Sequence, residues 1–227
     1  MDFKKNSEKI DISFEEIDMS FEEYYNKLIE IVRDTAHEAY MMEVILPLLR
    51  MCCFGDIKVV PVFDDRAVGR KTKKENFVLE RMKTISAPNG SSYVVPDYIF
   101  VPKAYSYRNY MKPLLMVETK LPNIVIKDDS LQYVDLNDSI RKYDSQIKAE
   151  INACKYVVVT DGFTWLFLTK DKNGEIIKAY RSVSLLRKGK HNRKIYEVSK
   201  KVNPPEWEKI PKTIKKLLKK LKPSKNN

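Results

Sequence analysis

The sequence predicts an α/β fold in which helices flank a mixed β-sheet. Apolar residues recur at helical spacing between Ser20 and Cys53, short strand-like runs fill much of residues 56–183, and a helical segment at residues 137–153 interrupts those runs. A chain in which strands both precede and follow a helix buries the apolar faces of its sheet beneath helices. Because 227 residues are enough for one sizeable core, we expect one main domain.

The first helical region begins with a capping signal. Ser20 and Glu23 match the S-x-x-E pattern, in which the serine oxygen accepts a bond from a free helix amide and the glutamate reaches back. The apolar pattern then continues to Cys53, although Pro47 can kink or end a helix. The prediction is therefore one or two helices between Ser20 and Cys53.

The strands are predicted from apolar runs rich in β-branched and aromatic residues and bounded by turn residues. They cover residues 56–63, 93–101, 114–121 and 155–160, and a hairpin follows at 164–183 with Asp-Lys-Asn-Gly as its turn. Between the third and fourth strands, a polar stretch leads into the helix at residues 137–153.

The composition argues against a membrane-spanning or secreted protein. No apolar run approaches the roughly 18 to 20 residues that a membrane span needs, and residues 1–16 lack the apolar stretch of a secretory signal. We therefore expect a cytoplasmic protein without integral membrane association.

Cysteine and histidine are too few for several chemistries. Cys52, Cys53 and Cys154 form no CxxC pair, and His37 and His191 cannot make a multi-histidine zinc site. Neither a disulfide framework nor a Ser/His/Asp hydrolase is supported, and the cysteines are predicted to be small buried apolar residues. Any catalysis would therefore depend on carboxylates, lysine and a metal ion.

The net charge of +11 is unevenly distributed. Residues 1–50 hold 12 acidic and 6 basic residues, a net charge of −6, so the remaining 177 residues carry +17. A field of this sign concentrates polyanions. Nucleic acid is therefore the first partner to consider and an anionic membrane the second, while solubility alone is the remaining explanation.

Two of the predicted strands carry charge where a buried strand is usually apolar. Asp97 lies in "VVPDYIFV", and Glu118 and Lys120 lie in "PLLMVETKLP". Because side chains alternate along a strand, Glu118 and Lys120 point to one face, and Asp97 can meet Glu118 if the two strands pair. Two carboxylates at a poorly solvated point repel each other unless a cation separates them, and their oxygens suit Mg²⁺ or Mn²⁺. With Lys120 holding the attacking water, this chemistry is phosphodiester hydrolysis.

The alternative for these charges is a buried or rim salt bridge between Lys120 and one carboxylate. The bare acid-x-Lys pattern has little weight, because it also occurs at residues 2–4 and 56–58. The apolar strand around Glu118 and the preceding Pro96-Asp97 distinguish the third occurrence from the other two.

These residues resemble the PD-(D/E)xK motif of restriction-endonuclease-like nucleases. More narrowly, the chain is similar to the N-terminal nuclease domain of type I restriction enzyme R subunits. "HEAYMMEVILPLLRMCCF" resembles the first helix of that family, and "SQIKAEIN" resembles its helix after the motif. "KYVVVTDGFTWLFL" resembles its strand-turn-strand segment, with Asp161 where asparagine is usual. The similarity runs from Thr35 to Leu168, in the same order as in the family.

The resemblance implies a restriction-endonuclease-like αβββαβ core with a mixed sheet flanked by helices, over residues 20–200. An acidic segment at residues 1–19 would precede this domain, and a basic amphipathic tail at 201–227 would follow it as a C-terminal helix. The implied enzyme is a metal-dependent endodeoxyribonuclease that uses Mg²⁺, for which Mn²⁺ is able to substitute.

The resemblance also implies a role for each site residue. Asp97 and Glu118 would be metal-binding catalytic carboxylates, and the carbonyl of Thr119 would be a further metal ligand. Lys120 would be the catalytic amine, and Gln146 would position the nucleophile or the substrate backbone.

Two positions on the helices are less simple. Glu38 matches a family glutamate that reaches the metal directly or through water, but Thr35 and Glu38 also form a capping box. The family helix reads Gln-x-x-x-Tyr, whereas Glu150 follows Gln146 by four residues here. The assignment of Gln146 is therefore weaker than that of the Asp-Glu-Lys core.

No G-x-x-x-x-G-K-[ST] phosphate loop occurs in the sequence, so no nucleotide cofactor is expected. The chain would act as a stand-alone nuclease or as a subunit of a restriction, defence or mobile-element system. A homodimer or a larger nuclease complex both remain open.

Three basic segments are candidate phosphate contacts, because lysine and arginine meet phosphates without reading sequence. Two are predicted loops, and the third is an amphipathic helix between Pro211 and Pro223 that can dock on the core, on an anionic membrane or on a partner. The nucleic-acid-binding candidates are Arg70, Lys71, Lys73, Lys74, Arg187, Lys188, Lys190, Lys215, Lys216, Lys219 and Lys220.

Two other functions stay open. The first is a non-catalytic nucleic-acid-binding or scaffolding module on the same fold. The second is a membrane-surface protein that works through the basic helix.

Overall fold

A mixed six-stranded sheet forms the centre of the computed structural model. The structure describes residues 19–34, 38–62, 96–105, 111–127, 130–134, 136–140, 144–186, 195–197 and 204–221. Its helices are α1 (Phe21–Asp34), α2 (Glu38–Met51), α3 (Leu136–Ser139), α4 (Asp144–Cys154) and α5 (Pro204–Leu221). Its strands are β1 (Ile57–Pro61), β2 (Tyr98–Pro102), β3 (Leu115–Thr119), β4 (Asn123–Lys127), β5 (Ser130–Val134), β6 (Val157–Thr160), β7 (Thr164–Lys170), β8 (Ile176–Ser184) and β9 (Ile195–Glu197).

The strand order in the main sheet is β1-β2-β3-β6-β7-β8. β3 pairs in parallel with β6, and the other neighbours pair antiparallel. A parallel pair needs a long crossover, and α4 lies within the chain that connects β3 to β6. The predicted α/β class with a mixed sheet is thereby confirmed.

The two faces of the sheet are covered by different helices. Val117 and Val158 point to a cluster that includes buried residues of α1, α2 and α5, and we call this side the α2 face. Met116 and Val157 point the other way, to a cluster that includes Ile147 of α4, and we call this side the α4 face. The alternation of side chains along β3 therefore assigns each of its residues to one helical layer.

A second, three-stranded sheet was not predicted from the sequence. β5 pairs with β4 on one side and with β9 on the other, both antiparallel. The segment "NIVIKDDSLQYV" was interpreted as a polar stretch, although its apolar runs on either side of Asp-Asp-Ser are typical of a hairpin. The hydroxyl of Tyr133, in β5, ties this sheet to the main one by donating to Asp161 Oδ2 at 2.5 Å.

The N-terminal helices follow the prediction closely. The N–H of Glu23 donates to Ser20 Oγ at 3.1 Å, so Ser20 caps α1. The region forms two helices, and Pro47 lies inside α2, which continues to Met51. The hydroxyl of Tyr98 donates to the carbonyl of Met42 and so attaches α2 to the start of β2.

The C-terminal helix begins earlier than the sequence indicated. α5 begins at Pro204, with Pro211 inside it, and Trp207 packs against the rings of Phe21 and Tyr24 of α1. Ile214, Leu217 and Leu218 are fully buried in the cluster on the α2 face. The apolar stripe of the basic helix is therefore docked on the core, beside α1 and α2.

The turn between β6 and β7 makes a close approach to the helices. Gly162 adopts φ +85°, and a Cβ built at this position would lie 2.6 Å from Leu28 Cδ2 and 2.8 Å from Met41 Cε. The carbonyl of Gly162 accepts bonds from the hydroxyl of Tyr24 and the indole N–H of Trp165. Glycine fits this turn, whereas a larger residue would be strained at this φ and would force the side chains of Leu28 and Met41 to move.

The cysteines are all free thiols, as expected. Cys52 and Cys154 are buried and Cys53 is half-buried. Burial raises the pKa of the Cys154 thiol to about 12, so it stays protonated near neutral pH.

The described helices include none that has both the length and the apolar character to cross a membrane.

Candidate active site

Glu118 and Lys120 lie at the carboxyl end of β3, in the middle of the main sheet. Both are buried, with 4% and 8% of their surface exposed. Their two-residue spacing puts them on the α4 face together with Met116. The N–H of Lys120 donates to the carbonyl of Thr160 at 2.8 Å, which extends the parallel pairing of β3 and β6 through the site.

Asp97 immediately precedes β2 and belongs to the same point of the sheet. The register of β2 and β3 pairs Tyr98 with Val117, so one further step sets Asp97 opposite Glu118. Asp97 Oδ2 accepts a bond from the N–H of Thr119 at 2.6 Å. The structure therefore brings the three residues of the predicted Asp-Glu-Lys motif together on neighbouring strands.

Gln146 joins the motif from α4. Lys120 Nζ lies 2.5 Å from Glu118 Oε1 and donates to Gln146 Oε1 at 3.2 Å. The amide nitrogen of Gln146 donates to Glu118 Oε1 at 2.6 Å. The ion pair given above as the alternative explanation is thus present, and it lies within a hydrogen-bonded network that also contains the predicted glutamine.

A fourth charged residue belongs to this network, and sequence reasoning does not identify it as part of the site. Glu150 is fully buried, and its Oε1 accepts a bond from Gln146 Nε2 at 3.1 Å. The signal in the sequence is that Glu150 follows Gln146 by four residues, because residues four apart lie on the same side of a helix. Ile147 and Ile151 show that this side of α4 is apolar. An acid at such a position was treated as a departure from the family helix, not as a site residue.

Burial dominates the electrostatics of the two glutamates. Desolvation raises the pKa of Glu118, although the Lys120 ammonium and hydrogen bonds oppose that rise. Desolvation and the nearby charge of Glu118 raise the pKa of Glu150 well above its ordinary value. Two acids therefore share one lysine in a poorly solvated place, which costs free energy unless further positive charge is supplied.

Two carboxylate oxygens of the network are buried without a hydrogen-bond partner among the described residues, namely Glu118 Oε2 and Glu150 Oε2. Such orphan acceptors are costly, and a hard divalent cation is the kind of ligand that suits them. Within the described ranges, no group of three or more histidine, cysteine, aspartate or glutamate side chains is placed so that it could hold a metal ion.

Thr119 lies between Glu118 and Lys120 in the motif, and its side chain points to the α2 face, whereas theirs point to the α4 face. It is fully buried, and its backbone N–H is used by Asp97. Its hydroxyl finds no hydrogen-bond partner in the described part of the chain. The Thr119 side chain therefore points away from the site, and only its backbone lies beside Asp97.

The other predicted site residues either lie outside the described part of the structure or belong to α5. Glu38 is the first residue of α2, and its side chain lies outside the described part of the structure. The basic positions at 70–74 and 187–190 also lie outside the described residues, namely Arg70, Lys71, Lys73, Lys74, Arg187, Lys188 and Lys190. The remaining basic candidates, Lys215, Lys216, Lys219 and Lys220, belong to α5, which packs on the α2 face rather than the α4 face.

Two lysines of α5 contact an aromatic ring of the sheet. Lys216 Nζ and Lys220 Nζ lie 5.4 Å and 5.0 Å from the ring centroid of Tyr180 in β8. These cation–π contacts hold the positive face of α5 along the β8 edge of the sheet.

Comparisons with protein-family models, with curated proteins and with solved structures found no match for this chain. Its function must therefore be inferred from the geometry of the site and from the sequence.

Proposed function

We propose that this protein is a Mg²⁺-dependent nuclease that hydrolyses phosphodiester bonds of DNA at the carboxyl end of β3. The observation that carries the proposal is the meeting of Asp97, Glu118 and Lys120 on two neighbouring strands, with Gln146 bonded to both the acid and the amine. Buried charges gathered at one point of a sheet are uncommon as structural elements and are typical of functional sites.

The topology supports a restriction-endonuclease-like core as the finer description of the fold. β1, β2 and β3 form an antiparallel meander, and β6 returns in parallel beside β3 after α4. With α2 before the meander, this order supports an αβββαβ core into which β4, β5 and α3 are inserted between β3 and α4. The proposed site residues occupy β2, β3 and α4 in the order expected for that core.

The bound metal would polarise a phosphate oxygen and lower the pKa of a bound water molecule. Glu118, with one oxygen that has no partner among the described residues, and Asp97 would hold it. Lys120 supplies positive charge where negative charge develops on the phosphate. Gln146 orients the amine, because its carbonyl oxygen accepts from Lys120 while its amide nitrogen donates to Glu118.

The charge distribution supports a polyanionic substrate. Residues 51–227 carry a net charge of +17, which favours encounter with DNA. Under this proposal the chain acts as a stand-alone nuclease or as a subunit of a restriction, defence or mobile-element system.

Plasmid cleavage tests the proposal directly. We expect the wild-type protein to nick or linearise plasmid DNA with Mg²⁺ or Mn²⁺ and to lose this activity in EDTA. Asp97→Ala and Lys120→Ala should lower the cleavage rate by at least about 100-fold, the usual scale for removing a group that stabilises a transition state. The exposed glutamate of the β7–β8 turn provides the control, because Glu175→Gln should cut at the wild-type rate. Equal cleavage by wild type and both site variants would rule the catalytic role out.

A non-catalytic nucleic-acid-binding or scaffolding module is the second candidate. It is favoured by the 2.5 Å ion pair between Glu118 and Lys120, which partly neutralises both groups without a metal. In that case the wild type and the Asp97→Ala and Lys120→Ala variants should bind DNA with equal affinity, and none should cut any DNA or RNA substrate.

A further inference from the structure

Glu150 is the acid of the site network that the predicted motif does not include. It is a fully buried acid on α4, and one of its oxygens has no hydrogen-bond partner among the described residues. An apolar side chain at this position would pack with Ile147 and Ile151 on the α4 face and would avoid the free-energy cost of burying a charge. A buried acid with such an oxygen is a candidate ligand for a cation.

Gln146 holds Glu150 beside Glu118. The single amide nitrogen of Gln146 donates to Glu118 Oε1 at 2.6 Å and to Glu150 Oε1 at 3.1 Å. Each carboxylate thus uses its first oxygen for the same nitrogen, and each keeps its second oxygen without a partner among the described residues. Two carboxylates that share one donor, and that each have a second oxygen without a partner among the described residues, form the beginning of a cation site.

The charges of the site lead to the same conclusion. Burial favours a neutral Glu150 in the metal-free protein, because it raises the pKa of that carboxyl, whereas a bound cation would favour its ionised form. With Asp97, Glu118 and Glu150 then ionised and Lys120 protonated, the four side chains would sum to a net charge of −2. One divalent cation neutralises this charge. Without Glu150 the other three side chains would sum to −1, and the same cation would leave a net charge of +1. Because uncompensated charge is costly in a buried place, the acid on α4 matches the charge of one Mg²⁺ or Mn²⁺.

We propose that Glu150 is a direct ligand of the divalent cation, so that the metal lies between Glu118 of β3 and Glu150 of α4. This inference rests on the proposed metal-dependent function, and it adds a ligand from the helix that packs over the sheet. Both glutamates supply carboxylate oxygen, the donor that Mg²⁺ and Mn²⁺ prefer.

Mn²⁺ binding to the full-length chain tests the site independently of cleavage. Free Mn²⁺ is measured by electron paramagnetic resonance during titration of wild type, Glu118→Gln, Glu150→Gln and the exposed control Glu175→Gln. We expect Glu118→Gln and Glu150→Gln each to weaken Mn²⁺ binding by at least about tenfold, the lower range for groups that support a metal site. Glu175→Gln should bind like wild type.

Glu150→Gln is a suitable variant because it keeps an oxygen that can accept from Gln146 while it removes the charge. Melting in EDTA should therefore show no loss of stability, and added Mn²⁺ should raise the melting temperature of wild type but not of Glu150→Gln. If that variant does not fold, Glu150→Asp keeps the charge but shortens the side chain, and it should bind Mn²⁺ more weakly than wild type does.

The outcomes separate this inference from the proposed function. Wild-type Mn²⁺ affinity in Glu150→Gln, together with weak binding in Glu118→Gln, would overturn the role of Glu150 and leave the nuclease proposal standing. If Glu150→Gln loses Mn²⁺ binding but the wild-type protein cuts no nucleic acid, the result would support the metal site and count against the nuclease proposal. A wild type that binds no Mn²⁺ would overturn the inference.

Discussion

Two buried glutamates, a buried lysine and a half-buried aspartate share one small region of the α4 face. The lysine cannot satisfy all three acids, so the network depends on hydrogen bonds from Gln146 and from the backbone N–H of Thr119. Removing one charge from such a network leaves another desolvated and unpaired, which is more costly than removing the pair. The free energy of unfolding of the metal-free protein should therefore depend on whether these side chains are changed singly or together.

Lys120→Met is the substitution that should reveal this coupling. We expect it to lower the free energy of unfolding by about 3–5 kcal/mol in EDTA, because Glu118 is left as a buried charge without its partner. The double variant Glu118→Gln with Lys120→Met should recover part of that loss. Urea unfolding followed by circular dichroism measures both effects, and a Lys120→Met protein as stable as wild type would contradict the coupling.

Asp161 shows that a buried acid can have a purely structural explanation. Its Oδ1 accepts the backbone N–H groups of Phe163 and Thr164. Its Oδ2 accepts the hydroxyl of Tyr133. Each of its two oxygens has a donor, whereas Glu118 and Glu150 each keep one oxygen without a partner among the described residues. This difference separates the candidate ligands from the structural acid.

Among the elements, the turn between β6 and β7 connects the sheet to the helices of the α2 face. The side chains of Leu28 in α1 and Met41 in α2 contact the space where a Cβ on Gly162 would stand. The same turn accepts the hydroxyl of Tyr24 through the carbonyl of Gly162. The packing of both N-terminal helices therefore depends on the absence of a side chain at one position.

Gly162→Ala tests this dependence, with Gly174→Ala as its matched control. Both glycines have φ near +80°, so both substitutions carry a similar backbone cost. Nothing lies within 4 Å of a Cβ at Gly174, whereas one at Gly162 would collide with Leu28 and Met41. We expect Gly162→Ala to cost about 1–3 kcal/mol more than Gly174→Ala in thermal or urea unfolding. Equal costs for the two variants would show that α1 and α2 shift without penalty.

The sequence pattern described some elements better than others. The S-x-x-E signal at Ser20 fixed the start of α1, because a helix cap is a local interaction between residues three apart. The hairpin of β4 and β5 was missed because its apolar runs are short and flank charged residues. α5 begins at Pro204 rather than near Pro211, since the packing of Trp207 on Phe21 and Tyr24 involves residues far apart in the chain.

For the molecule as a whole, the sheet separates the candidate site from the basic helix. Glu118 and Lys120 lie on the α4 face, whereas Leu217 and the rest of the apolar stripe of α5 lie on the α2 face. Under the proposed function, lysines of α5 would contribute to DNA binding without contacting the bond that is cut. Binding and cleavage should respond differently when these lysines are changed.

Lys216→Gln with Lys220→Gln is the variant that separates the two properties. If both lysines contact phosphates, DNA affinity should fall, and the slope of log affinity against log salt should become shallower by about two. Cleavage of DNA that is already bound should continue at the wild-type rate. Fluorescence anisotropy over a salt series measures the slope, and single-turnover cleavage measures the rate.

Lys27 provides the control for that measurement. It is an exposed lysine of α1 that is paired with Glu23, so Lys27→Gln should leave the slope unchanged. An unchanged slope in the double variant would remove α5 from the DNA interface. The basic positions at 70–74 and 187–190 would then be the remaining candidates.

The amino-acid pattern was sufficient to predict the α/β class, the two strands in or beside which Asp97, Glu118 and Lys120 lie, and the shared face of the last two residues, because alternation along a strand is local. It could not reveal the bond from Thr119 to Asp97, the amide that joins Glu118 to Glu150, or the face on which α5 docks. Those contacts join residues that are distant in the chain or lie on different layers, and they exist only after β2, β3 and α4 have packed. The types of side chain are thus a property of the sequence, whereas the network that they form is a property of the folded protein.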